Sequence, residues 1–304
     1  MTAAETRTPE HGRLLNAATF AAVGTATLLV AVKAAAWFMT GSVSVLSTLI
    51  DSILDVMASL INLFAVRHAL VPADAEHRFG HGKAEPIAGL GQAAFIIGSG
   101  AYLIFEAASR FAKPQAVAHG TIGIAVMIFA IVATFALVKF QRYVIRRTGS
   151  VAISADSLHY VGDVLINGGV IAALVLGELL GWEWIDPLFG AGIAVYLMYT
   201  AWRIALQSLN LLMDRELPDA ARARIMQIAT AHPDVTAAHD LRTRSSGTHN
   251  FIQLHLEMDG SMSLTRAHQI SDEVETRIRE AFPNSEVIIH EDPDDITEDR
   301  TRFT

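Results

Sequence analysis

The amino-acid sequence predicts a multi-pass α-helical membrane protein with six transmembrane helices, followed by a small α+β domain. Three observations lead there. Six long apolar stretches, each near the ~20 residues that a helix needs to cross hydrocarbon, fill the first two thirds of the chain. Of its 304 residues 52% are hydrophobic and only 18% charged, with a mean hydropathy of +0.36, which leaves little charged surface for a soluble protein of this length. From Leu217 onward the texture changes to short segments whose apolar residues recur at strand and helix periods.

Met1 to Arg13 is polar, with Glu5, Arg7, Glu10 and Arg13, and is expected to be a cytoplasmic N-terminal segment (1–13) ahead of the membrane domain (14–210). Leu14 to Val32 is uncharged and predicts the first helix, extended through Trp37, with Thr40-Gly41 as its turn. No small-residue cleavage pattern follows at a suitable distance, so this reads as a retained helix and not a signal peptide. Helix 2 is expected over Val43 to His68, ending in the polar stretch Pro72 to Lys83, and helix 3 over Ala84 to Arg110, closed by Lys113-Pro114. Helix 4 takes His119 to Val138 and ends at the cluster Lys139, Arg142, Arg146 and Arg147. Helix 5 covers Ser150 to Leu176, and helix 6 covers Pro187 to Ser208 after a link containing Trp182 and Trp184, which suit an interfacial belt.

Charge orients these helices. The ends of helices 2, 4 and 6 and their loops carry Arg67, Arg78, Lys83, Lys139, Arg142, Arg146, Arg147, Arg203 and Arg215, against Arg110 and Lys113 on the opposite side. The positive-inside rule therefore places both termini in the cytoplasm. Residues 1–210 hold 13 acidic and 13 basic residues, whereas 211–304 hold 18 and 10, so the net charge of -8 belongs to the C-terminal third. That balance leaves no basic footprint for nucleic acid. With no cysteine, disulfides, thiolate zinc sites and iron-sulfur clusters are excluded, and metal chemistry must use His, Asp and Glu.

In the last third, Pro218 to Ala231 predicts a helix with Pro at its start. Val235 to Arg244 is a strand, and Phe251 to Met258 alternates as a half-buried strand after the turn Ser245 to Thr248. Leu264 to Phe282 is an amphipathic helix with Ile270, Val274 and Ile278 on one stripe, and Glu286 to His290 is a last strand. This order suggests two helices against a three-stranded sheet, a domain over 211–293. The acidic chain from Asp292 on is expected to be disordered, with the tail proper at 294–304.

Charged residues inside apolar runs single out the chemistry. Helix 2 carries Asp51 and Asp55, helix 5 carries His159 and Asp163, and each pair is spaced to share one helix face. A carboxylate at mid-membrane costs about 2.5 to 3.5 kcal/mol, so both pairs need a partner or a function. Facing each other they offer three carboxylates and an imidazole, a set suited to tetrahedral Zn²⁺, and neither helix has a nearby Lys or Arg to neutralise them. The alternative, satisfied polar residues gluing helices together, leaves the mutual repulsion of the carboxylates unanswered. Asp156, near the start of helix 5, fits either an entry path or a structural cap. Asp74, His77 and His81 lie in the loop before helix 3, as three ligands with water as a fourth or as a solvated polar loop. Half of the 12 histidines fall in the C-terminal domain: His232, His239, His249, His255, His268 and His290, the last beside Glu291 and Asp292. Several imidazoles on adjacent strands of an acidic domain point to metal more than to isolated satisfied side chains.

These motifs resemble the cation diffusion facilitator family, in particular its bacterial zinc and ferrous-iron exporters. The resemblance rests on Gly41-Ser42-Val43-Ser44 before Asp51 and Asp55, on Phe79 to Glu85 leading helix 3, on Asp156, His159 and Asp163 in helix 5, and on Phe251 to Glu257. It spans about Gly12 to Pro293 in the family's order. The resemblance implies a homodimer in a bacterial inner (plasma) membrane, with a ferredoxin-like cytoplasmic domain, exporting Zn²⁺, or Cd²⁺ or Fe²⁺, in exchange for protons. It makes Asp51, Asp55, His159 and Asp163 the transport site, and Asp74, His77 and His81 a site at the junction of the two domains. It makes His239, His255, His290 and Asp292, with His268, the ligands of structural or regulatory Zn²⁺ in the cytoplasmic domain. It also implies a salt bridge of Lys83 and Asp214 between protomers. Asp at the first transport position, where zinc-selective animal members carry His, leaves cadmium and iron open, and Glu291 stands where close relatives place Gln. A membrane metal sensor is the rival reading, but no signalling motif accompanies it. An ion channel fits poorly because a tight four-ligand cage hinders conduction. An enzyme is not expected, since no separate nucleophile, base or substrate pocket is visible.

Overall fold

The computed structural model describes residues 9–41, 43–112, 121–180, 185–247 and 249–296. The polar segment up to residue 8, Ser42, Lys113-Pro114, His119, Trp182, Trp184, Thr248 and the tail beyond Ile296 lie outside the described residues. The chain forms two compact units, Pro9–Leu209 and the part from Asn210 onward.

The first unit is helical: α1 (Pro9–Thr40), α2 (Val43–Ala69), α3 (Ala84–Ala112), α4 (Thr121–Thr148), α5 (Val151–Leu180) and α6 (Ile185–Leu212), the last crossing into the second unit. Among the described residues five of these are long and apolar enough to cross a membrane, over Glu10–Thr40, Thr48–Ala69, Ala84–Ser109, Ile122–Thr148 and Pro187–Leu212. Five of the six expected apolar spans are thereby found among the described residues, and α5 is not one of them. Asp156, His159, Asp163 and Asn167 occupy the first half of α5, the polar load that makes it interesting. Only 22–33% of each apolar window is buried inside the protein. Phe64, Tyr102 and Phe105 are 67%, 68% and 71% exposed, a surface that suits lipid and not water.

α4 runs ten residues past the predicted end at Val138, through Lys139, Arg142, Arg146 and Arg147. Lys and Arg propagate a helix well, so loss of apolarity marks where lipid stops and not where the helix does. Gly149, with φ 66, ends it, and its N–H donates to the Ile145 carbonyl. Leu15, Ala18, Val66, Val144, Ala152 and Ile153 form one buried cluster joining α1, α2, α4 and α5. α3 and α6 approach closely at Gly100, where a Cβ would lie 2.5 Å from Met198 Cγ.

The second unit is α7 (Asp219–Ala229), β1 (Ala237–Ser245), β2 (Asn250–Met258), α8 (Leu264–Ala281) and β3 (Ser285–Pro293). The open sheet has order β1-β2-β3, with β1 antiparallel and β2 parallel to their next neighbours. The parallel pairing requires a crossover, and α8 supplies it. Ser263 caps α8 by accepting from the Arg266 N–H. Even-numbered β2 residues Ile252, Leu254, Leu256 and Met258 are buried against Ile225 and Ile228 of α7 and Ile270, Val274 and Ile278 of α8. Odd-numbered residues, His255 and Glu257 among them, therefore line the other face. β3 extends to Pro293, so the expectation of disorder from Asp292 is corrected: Asp292 is paired with Glu257 across the sheet, and Asp294 N–H donates to the Met258 carbonyl.

Candidate metal centres

The membrane cluster is built by α2 and α5. His159 Nε2 lies 2.9 Å from Asp55 Oδ1, both side chains nearly buried, and donor atoms of Asp55, His159 and Asp163 all lie within 4.8 Å of one another. Asp51 is one turn before Asp55 but exposed, and it is not drawn into that group. Tyr160, fully buried beside His159, fixes the approach of the helices. Its hydroxyl is 2.6 Å from Ser59 Oγ on α2 and 3.4 Å from the Ala22 carbonyl on α1. Asp156 is wholly buried and accepts from Gln141 Nε2 of α4 at 2.7 Å and Gln92 Nε2 of α3 at 3.4 Å, which favours its structural reading over an entry path. Sequence reasoning overlooked Lys33 of α1. Its Nζ reaches α2 at Ser52 Oγ (2.7 Å) and the Thr48 carbonyl (3.1 Å), so a cation does stand beside the ligand face. It comes from a third helix, and no spacing within α2 or α5 points to it.

The loop cluster brings together all three of its expected members, with donors of Asp74, His77 and His81 within 4.8 Å of one another. Asp74 Oδ1 accepts the backbone N–H groups of His77 (2.6 Å) and Glu76 (3.0 Å). The His77 N–H above all holds the Asp74 carboxyl below the usual carboxylate range. His81 is buried, with Nε2 3.4 Å from Asp74 Oδ2 and Nδ1 3.4 Å from the Val71 carbonyl. A proton on Nδ1, donated to Val71, leaves the Nε2 lone pair facing Asp74. Gly80, with φ 77, turns the chain between the two imidazoles.

In the sheet, register aligns His239, His255 and His290 side by side on β1, β2 and β3, with Glu257 opposite Asp292 next to that row. Asp292 Oδ2 is 2.8 Å from His255 Nδ1 and 3.4 Å from His239 Nε2, and Asp292 Oδ1 is 3.1 Å from His290 Nε2. A bulge between His239 and Arg242, with Asp240 at φ 47, re-aims the start of the row. Glu257 Oε1 lies 3.1 Å from His239 Nε2 and joins the cluster although it was not among the expected ligands. Its only sequence signal, two places beyond His255 in the same alternation, is shared by any solvent-facing strand Glu. His268 is apart from the row, exposed on α8 beside Asp272. Glu291 is in register with Leu256 of the core-facing set, on the opposite side of β3 from Asp292. The donor set fits a borderline divalent ion: imidazoles and carboxylates converge, and buried His239 Nδ1 makes no hydrogen bond. Lys83 precedes α3, and Asp214, 3.7 Å from Arg244 and with φ 55, follows α6.

The model of the cation efflux transmembrane domain matches residues 19–213, and that of the cation efflux protein cytoplasmic domain matches residues 217–294. The chain belongs to the cation efflux family. Among relatives of this family member is the cation-efflux pump FieF of Klebsiella pneumoniae subsp. pneumoniae, 47% identical over 286 residues, which cover 94% of this chain and 95% of that one. The pump of the same name from Salmonella choleraesuis is 47% identical over 283 residues, 93% of this chain and 94% of that one. Among solved structures, the metal-bound C-terminal domain of the CzcD transporter from Thermotoga maritima is 29% identical, with TM-score 0.25, covering 26% of this cation efflux chain and 93% of that domain.

Proposed function

We propose that this chain is a secondary active transporter that exports divalent metal cations, Zn²⁺ first and also Cd²⁺ or Fe²⁺, from the bacterial cytoplasm in exchange for protons. The observation that carries the reading is the meeting of Asp55, His159 and Asp163 between α2 and α5, inside a bundle whose outer surface is apolar. Asp51, one turn along the same face of α2, completes the set when metal draws it in. These residues bind metal only when deprotonated, so the donors that hold the cation also hold the exchanged protons. α5 is the sixth crossing, shielded from lipid by its neighbours, and both termini are cytoplasmic.

The C-terminal unit is a ferredoxin-like cytoplasmic domain of a homodimer. His239, His255, His290 and Asp292 would hold Zn²⁺ there, aided by Glu257, with His268 approaching from elsewhere in the dimer. Zn²⁺ would neutralise the acidic excess of this domain. Asp74, His77 and His81 form a loop site, and Lys83 pairs with Asp214 of the partner protomer. Domain limits follow as 14–210 for the bundle and 211–293 for the cytoplasmic domain, with 1–13 and 294–304 as flanking segments.

The test is metal-driven proton flux in sealed proteoliposomes with Zn²⁺, Cd²⁺ and Fe²⁺. Saturable flux that disappears in Asp55→Ala is expected. Tight metal binding at the C-terminal unit with no flux in the wild type would instead support a membrane metal sensor.

A further inference from the structure

Lys33 has no part in the exchange described above. It lies in the last third of α1, in the stretch Leu28 to Phe38 that is otherwise uncharged. A charge in such a place is retained only with a partner or a function. Its half-buried ammonium donates to the Thr48 carbonyl and to Ser52 Oγ, and Ser52 is completely buried. Thr48, Asp51, Ser52 and Asp55 recur at three- and four-residue steps and so form one stripe of α2. The ammonium is therefore fixed within one helical turn of both α2 carboxylates. These two hydrogen bonds go to uncharged oxygens, which keeps its charge beside the cluster without tying it to one ligand.

We infer that Lys33 is the fixed counter-charge of the membrane metal site, bringing three carboxylates to a net charge that one divalent cation neutralises, and so setting how tightly metal is held. The inference rests on reading Asp51, Asp55, His159 and Asp163 as the transport site. Without Lys33 those carboxylates would outweigh a divalent cation, and in a low-dielectric bundle the surplus attraction slows release. With it, the filled site is balanced. Because Lys33 is bonded to α2, the counter-charge travels with Asp51 and Asp55 whatever α2 does relative to α5. Lys33 does not touch the metal; it positions charge.

The test uses the full-length chain carrying His77→Ala and His255→Ala, which silences the other two clusters, and measures Zn²⁺ affinity by competition with a chromophoric chelator at mildly alkaline pH. In that background Lys33→Met is expected to bind Zn²⁺ about tenfold tighter. In flux assays KM and kcat should fall together. Lys33→Arg, which keeps the charge, should restore both. Ser52→Ala loosens the ammonium without removing it and should shift affinity the same way by less, which gives a reading even if Lys33→Met does not fold. Unchanged or weaker affinity in these variants, or equal effects of Met and Arg at position 33, would overturn the inference. Asp55→Ala separates the two layers. If it abolishes binding while Lys33→Met changes nothing, the site stands and the counter-charge is wrong; if it leaves binding intact, both fall.

Discussion

Single residues decide whether the ligand atoms meet. His159 faces Asp55 because the next residue, Tyr160, ties α5 to α2 through Ser59. Tyr160→Phe strands the Ser59 hydroxyl in the bundle, at an expected cost of about 1 to 3 kcal/mol. The check is thermal unfolding in detergent, with metal affinity expected to fall as the two helices loosen. In the loop, the Asp74 carboxyl is lowered by the His77 backbone N–H. A depressed carboxyl contributes order fully above its unfolded value, near ~3.9, and loses it as pH falls through the lower folded value. The His77 amide resonance is thus expected to hold steady down through the usual carboxylate range and to shift only in stronger acid; a shift beginning near neutrality would contradict the turn. Asp55, His159 and Asp163 were legible in the sequence because a charge in an apolar run stands out. Lys33 was passed over because its partnership with α2 depends on how two helices pack, which no spacing within one helix reveals.

At the scale of elements, strand parity is the device that makes the C-terminal cluster. Even positions of β2 build the core, and odd positions carry His255 and Glu257. Ile252→Ala should cost about 2 to 5 kcal/mol by emptying part of that core, read as a lower unfolding midpoint of the C-terminal unit. His255→Ala removes the middle imidazole and leaves the core intact. The expected outcome is that a chelator lowers the thermal stability of the wild type but not of this variant; equal lowering in both would place the stabilising metal elsewhere. The alternation of β2 was plain in the sequence, and so were its strand and its two faces. The alignment of His239 with His255 was not, because it depends on a bulge at Asp240 that no residue pattern marks. The ends of helices were also hidden. α4 carries its basic residues on helix and not on a loop, since apolar content reports the depth of lipid while backbone hydrogen bonding reports the length of the helix.

On the scale of the whole molecule, an apolar bundle and an acidic, apolar-cored domain share one chain, and the uneven placement of charge along the sequence is enough to tell them apart. The basic ends of α2, α4 and α6 predict one orientation. Protease added outside intact spheroplasts should leave the C-terminal unit whole, whereas inverted vesicles should lose it; the reverse pattern would turn the transporter around. The mixed sheet of that unit has a consequence for quality control of the chain. A slip of one residue along β2 would turn its imidazole toward the helices and its leucines toward water, so the three-imidazole row exists in one alignment alone. That row is a parity check written into the chain, and retention of an ion there would certify that the strands were counted correctly.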